Sequence, residues 1–196
     1  SPIRQELLTG DAKHAFSLCH FKDHSKQTIL IVGGSSGSRV INTAIRGLLP
    51  ELLKNYNVIH LCGKDNLDET LTETTGYAQF EYANKELSDM FALADLVISR
   101  AGANAICELL ALRKPNILIP LSAAASRGDQ ILNANSFRSQ GFSYVLEEED
   151  LSNTTLLEAI EHVFQKKEEY IKAMENSNSR NSIDTIIGLI LDASKK

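Results

Sequence analysis

Three short segments of this chain carry residue types suited to holding an anion or a polyol. The first is Gly33-Gly34-Ser35-Ser36-Gly37, directly after the apolar run Ile29–Val32 and before a helical stripe that starts at Ser38. Glycine tolerates positive φ and lets a backbone approach a ligand closely. A helix N-terminus presents N–H groups and the positive end of a dipole to an anion. The chemistry would be the cradling of a phosphate or pyrophosphate, with a ligand-free glycine turn as the alternative. The segment is neither G-x-G-x-x-G nor a P-loop, since no G-K-[S/T] follows. The second segment is Ser99-Arg100-Ala101-Gly102-Ala103-Asn104-Ala105, followed by Ile106-Cys107-Glu108. Its small residues again open a helix N-terminus to a ligand. Glu108 follows Asn104 by four positions, so both lie along one helix face, and a carboxylate there can accept from two adjacent ribose hydroxyls. A solvated helix glutamate is the alternative. The third runs from Pro120 through the small-residue loop Ser122–Gly128 to a helix starting near Asp129, where Asp129 or Gln130 could meet sugar hydroxyls. Arg127-Gly128-Asp129 also spells a cell-adhesion tripeptide, a reading at odds with a chain that looks cytosolic.

Other groups point away from chemistry. The five histidines (His14, His20, His24, His60 and His162) lack metal-ligand spacing. His60 falls inside a strand and reads as a hydrogen-bonded structural group. The acidic run Glu147–Asp150 precedes a capped helix and reads as solvated. No G-x-S-x-G elbow occurs, which disfavours an α/β-hydrolase. The second strand ends Cys62-Gly63-Lys64, without the acid that would hold an NAD ribose. No D-x-D metal motif is evident, so neither a metal nor another cofactor is expected.

These segments need strands and helices to position them. Short apolar runs recur at Ile29–Val32, Val58–Cys62, Ala78–Tyr82, Leu96–Ser99, Ile117–Ile119 and Tyr144–Leu146. Helical stripes lie between them, such as Val40, Ile41, Ala44, Ile45, Leu48 and Leu49, then Ile106, Leu109 and Leu110, then Leu156, Ile160, Val163 and Phe164. Alternation of this kind gives βαβ units and a parallel sheet covered on both faces. The expected fold is α/β, a single Rossmann-like, doubly wound sheet of about six strands, whose ligand site lies at the carboxyl ends of the strands. Ser152 is placed to cap a helix. The polar stretch 176–182 reads as a break before a last amphipathic helix at 183–196, packing on its own sheet or on a domain not in this chain. The 196 residues are 43% hydrophobic and 23% charged, an ordinary globular balance. A net charge of −5 argues against nonspecific nucleic-acid binding. No apolar run reaches the roughly 18–20 residues that cross a bilayer. Three widely spaced cysteines, Cys19, Cys62 and Cys107, suggest a reducing compartment.

The ordered set resembles the MurG family. It comprises Ser1-Pro2-Ile3-Arg4, Gly33–Gly37 with Ile41-Asn42, Gly63-Lys64, Ala94–Ala103, Glu108-Leu109, Lys114-Pro115, Ile119-Pro120-Leu121, Asp129-Gln130 and Asn133-Ala134. The likeness runs over nearly the whole chain, as the C-terminal half of a two-domain GT-B enzyme. The resemblance implies transfer of N-acetylglucosamine (GlcNAc) from UDP-GlcNAc to lipid I, giving lipid II in bacterial peptidoglycan synthesis, and hence roles in cell wall, cell shape and division. It implies inversion without a metal, at the inner face of the membrane. It also implies that Arg4 lies near the donor's phosphates or uracil, that Ser35 beside Gly34 faces the diphosphate, and that Ala83 meets uracil. Ala103, Asn104 and Ala105 would offer backbone N–H groups to phosphate, Glu108 would hold the ribose, and Asp129 and Gln130 the GlcNAc. The family usually has His-Gln or Gln-Gln at 129–130, and the 122–128 loop is longer here. The acceptor groove and general base belong to the family's N-terminal half. The absent initiator Met is read as a cut at the interdomain linker, with roughly 150 residues expected upstream. Two other readings stand beside this one: a natural stand-alone donor subunit of a two-chain transferase, and a nucleotide-binding module without transfer chemistry.

Overall fold

The computed structural model describes residues 5–34 and 37–177. Arg4, Ser35 and the 183–196 helix expectation lie outside the described residues.

Among the described residues six strands form one sheet: β1 (Gln27–Val32), β2 (Tyr56–Leu61), β3 (Tyr77–Phe80), β4 (Leu96–Ser99), β5 (Asn116–Leu118) and β6 (Tyr144–Val145). Among the described residues eight α-helices accompany them: α1 (Ala12–Leu18), α2 (Arg39–Leu52), α3 (Leu87–Leu93), α4 (Ala103–Leu112), α5 (Ala123–Ser126), α6 (Asp129–Ser139), α7 (Asn153–Gln165) and α8 (Lys167–Asn176). The strand order is β3-β2-β1-β4-β5-β6, and each neighbouring pair is parallel. Ile29 pairs with Val58 on one side and with Leu96 on the other. The order reverses direction between β1 and β4, so the crevice of a doubly wound sheet opens there.

Side chains alternate across each strand, and the two faces hold separate cores. Leu30, Ile59, Val97 and Leu118 pack with Ala15 of α1, Met90 and Phe91 of α3, Ile106 and Leu109 of α4, and Phe137 of α6. Ile29, Ile31, Val58, Leu96 and Ile98 pack with Ile41, Ile45 and Leu52 of α2 and with Leu156, Ile160 and Val163 of α7. Both faces are dry, which is why the strands read as unbroken apolar runs rather than alternating ones. The α2 stripe differs from expectation at one position: Val40 is 43% exposed, and Leu52 completes the buried row. Ser152 caps α7 in a capping box, its Oγ accepting from the Thr155 N–H while Thr155 Oγ1 accepts from the Ser152 N–H. Residues 122–128, expected as a loop, include the short helix α5. Three successive alanines favour a turn of helix, and left-handed Arg127 and Gly128 end it and redirect the chain into α6. The adhesion-like tripeptide is therefore the α5–α6 junction. No helix among the described residues is long and apolar enough to cross a membrane.

Candidate functional site

Three strand-to-helix turns meet at the carboxyl end of the sheet. The first leaves β1 at Gly33, with Gly34 at φ +91 and Gly37 at φ +76. The Gly37 N–H donates to the Gly34 carbonyl at 3.0 Å and closes the turn. Ser38 then caps α2, its Oγ accepting from the Ile41 N–H at 3.2 Å.

The second turn leaves β4 at Arg100 and enters α4 with Gly102 as its cap. Gly102 supplies no capping side chain, so the first-turn N–H groups at Ala103, Asn104 and Ala105 face out of the helix end. Glu108 lies one turn further along that helix and is partly exposed, as Asn104 is exposed beside it.

The third turn follows β5, and α6 reaches from it back to the second. Gln130 Oε1 accepts from the Ala101 N–H at 3.2 Å and from the Leu121 N–H at 3.0 Å. Asn133 Nδ2 donates to the Ala101 carbonyl at 3.0 Å. Both polar groups of the Ala101 backbone are thereby held by one helix face. The Gln130 amide must point its nitrogen away from those two donors, and this Nε2 comes within 3.9 Å of where a Cβ on Gly102 would sit. Gln130 therefore offers an N–H donor beside the α4 N-terminus. Asp129 is exposed at the start of α6.

Arg100 fastens the turns to one another. Its Nη2 donates to Ser38 Oγ at 2.8 Å, and its Nη1 donates to the Ile119 and Pro120 carbonyls at 3.1 and 3.3 Å. Nη1 also pairs with Glu148 Oε1 at 2.5 Å. Both side chains are largely buried, so this is not a rim contact. The acidic run expected to be solvated thus sends one carboxylate, Glu148, inward. The remaining expected residue, Ala83, follows the edge strand β3, beyond the tip of β2. The structure so brings Gly34, Ala103, Asn104, Ala105, Glu108, Asp129 and Gln130 to one end of the sheet, with Ala83 at the far end of the same row.

Residues 28–187 match the family model described as the glycosyltransferase family 28 C-terminal domain. The chain belongs to glycosyltransferase family 28. It is 60% identical over 97% of its length to a protein of Lachnoclostridium phytofermentans, and 56% identical over its full length to one of Lachnospira eligens. Both relatives are named UDP-N-acetylglucosamine--N-acetylmuramyl-(pentapeptide) pyrophosphoryl-undecaprenol N-acetylglucosamine transferase, and the chain covers 53% and 55% of them. It spans about half the length of the curated relatives it matches. Among solved structures it superposes on Acinetobacter baumannii MurG with a TM-score of 0.65 at 20% identity, covering 95% of this chain and 55% of that one. A UDP-GlcNAc 2-epimerase of Neisseria meningitidis gives 0.59 at 14% identity, over 92% and 48%. The resemblance to the MurG family and the α/β sheet of a GT-B C-terminal half both hold.

In this family 28 domain Arg100 and Asn133 brace the site, although their motifs alone assign them no role. A signal existed for each. Arg100 is a charge directly after a buried strand, where only a paired guanidinium is tolerated, and Asn133 follows Gln130 by one helical turn. His60 was expected to be structural, and it is: Tyr77 Oη and Asn42 Oδ1 lie 2.7 and 2.8 Å from its two ring nitrogens. Among the described residues, no three His, Cys, Asp or Glu side chains gather as a metal-ligand set.

Proposed function

We propose that this chain binds UDP-GlcNAc as the donor domain of an inverting glycosyltransferase that extends lipid I to lipid II. The observation that carries this reading is the α4 N-terminus. It is capped only by glycine, lies at the crevice of the sheet, and is braced on both sides by Arg100 and Gln130. The diphosphate binds between that helix end and the turn that leaves β1, and the family resemblance assigns Ser35 and Arg4 to the same diphosphate. Glu108 accepts from the ribose hydroxyls, Ala83 meets uracil through its backbone, and Gln130 Nε2 donates to a GlcNAc hydroxyl with Asp129 beside it.

In the transfer step, the muramyl 4-hydroxyl attacks the anomeric carbon. The carbon–oxygen bond to the diphosphate breaks with inversion, and UDP leaves. Negative charge grows on the diphosphate, where preorganised N–H donors and a helix dipole stabilise it more than they stabilise the ground state. No metal is needed for that step. The acceptor hydroxyl must lose its proton to a base within direct or one-water reach, and this base and the lipid groove belong to the other half of such a protein. That half would also provide the contact with the inner face of the membrane.

Calorimetry with UDP and UDP-GlcNAc tests the donor site. The folded chain binds both, and Glu108→Ala weakens UDP binding by about tenfold or more, as loss of hydrogen bonds to a carboxylate should. Folded protein that takes up no nucleotide would overturn the reading. Turnover of UDP-GlcNAc and lipid I by the full-length protein tests the transfer.

A further inference from the structure

Behind the first turn runs a buried polar chain in which each hydrogen bond has a fixed direction. The Cys62 carbonyl, at the tip of β2, can only accept, and Asn42 Nδ2 donates to it at 2.9 Å. Asn42 Oδ1 therefore faces the other way, toward His60 Nε2 at 2.8 Å. An amide oxygen cannot donate, so the ring proton sits on Nε2. His60 is fully buried. Burial, helped by the Arg46 charge, holds its pKa down at about 3, so the ring is neutral and Nδ1 accepts. The Tyr77 O–H donates to Nδ1 at 2.7 Å. Burial pushes the Tyr77 pKa up to about 12, which keeps that proton in place. Arg46 closes the chain. Its Nε donates to the Tyr77 oxygen at 3.4 Å, and its Nη2 donates to the Asn66 carbonyl at 2.7 Å and to Gln79 Oε1 at 2.9 Å.

The other end of this chain touches the glycine turn. A Cβ built on Gly37 would lie 2.0 Å from the Cys62 carbonyl oxygen. That oxygen packs against the Gly37 backbone and accepts from the Asn42 amide.

We infer that His60 is a positioning residue for the donor site: as the Nε2–H tautomer it aims the Asn42 amide, which pins the Cys62 carbonyl beneath Gly37. The identity of the ligand rests on the function proposed above, whereas the geometry does not.

Two variants cut the two arms of the ring separately. His60→Gln keeps an N–H donor near the Nε2 position, and His60→Asn keeps a polar group only near Nδ1. Both lower the melting temperature, because both replace a packed ring. His60→Gln binds UDP within about threefold of the parent, while His60→Asn binds about tenfold or more weakly. The Gly37 and Gly63 amide resonances shift in His60→Asn and stay in place in His60→Gln. Ring nitrogen resonances of the parent report the Nε2–H tautomer from about pH 5 to about pH 8, the range in which an ordinary histidine titrates. Equal UDP affinities in the two variants, affinity that merely tracks melting temperature, or an Nδ1–H ring would each overturn the inference. Should the parent fail to bind UDP, the proposed function falls, and the Gly37 resonances with the tautomer still decide the role of His60.

Discussion

Gln130 shows how one side chain can carry a structural and a chemical task on different atoms. Its oxygen is committed to the Ala101 and Leu121 N–H groups, and its nitrogen lies near Gly102 as the donor that the proposed function assigns to the sugar. Substitutions separate the two. Gln130→Glu retains an acceptor for both backbone donors and removes the outward donor. It should melt close to the parent, weaken UDP binding because a carboxylate now stands beside the diphosphate, and weaken UDP-GlcNAc binding further by the part of the affinity that the sugar adds. Gln130→Leu leaves two backbone donors without a partner and should destabilise the fold by about 1–3 kcal/mol, measured by urea unfolding. Arg100 differs, because its guanidinium is spent on Ser38, the Ile119 and Pro120 carbonyls and Glu148. Glu148→Gln keeps a hydrogen-bond acceptor for Arg100 but removes the opposing charge from a largely buried pair. A loss of about 1–3 kcal/mol is expected, with weaker UDP binding as the Ser38 and Ile119 contacts loosen.

The two left-handed glycines of the first turn make a contrast at the level of the element. Among the described residues nothing occupies the space where a Cβ on Gly34 would go, whereas at Gly37 that space is filled by the Cys62 carbonyl. Gly34→Ala should therefore cost about 1–2 kcal/mol, the strain of positive φ alone. Gly37→Ala adds a backbone collision, and should cost more than Gly34→Ala and abolish UDP binding; melting curves and calorimetry on the pair decide it. Helices α2, α4 and α7 and the six strands could be located from periodicity, because burial of a single helical stripe or of both strand faces leaves a pattern in the residues themselves, whereas α6 showed only as the helix after a loop of small residues. Helices α1 and α3 left no such trace. They are short, and their docking depends on a contact distant in sequence, where Gly10 meets the Ser88 carbonyl. The three candidate ligand-binding turns were visible as clusters of small residues before a helix. The bridges between them were not, since Arg100 with Glu148 and Asn42 with His60 become neighbours only once the strands are ordered.

At the scale of the whole molecule, His60 is one source of acid sensitivity. Above about pH 6.5 the ring is neutral in both the folded and the unfolded chain, so it contributes no pH dependence. Below that, the unfolded chain takes up a proton that the folded chain refuses until about pH 3. Stability is therefore lost as pH falls through this window, and the melting temperature should decline on acidification more steeply in the parent than in His60→Gln. The exposed His14–Asp89 pair acts in the opposite sense on its histidine side. Its hydrogen bond raises the His14 pKa, so that contribution is complete at acid pH and is lost as pH rises through the raised value. Asp89, lowered by the same bond, gives way only at pH below its ordinary carboxylate range. The position of β1 between β2 and β4 also has a consequence in time. A ribosome releases the partner on one side, Tyr56–Leu61, well before the partner on the other, Leu96–Ser99. Throughout that interval Ile29, Leu30 and Ile31 form an open apolar strand edge of the kind that templates aggregation. A nascent chain stalled before Leu96 should need a chaperone to stay in solution, and one stalled after Ser99 should need it far less. Light scattering of the two released fragments would read the difference directly.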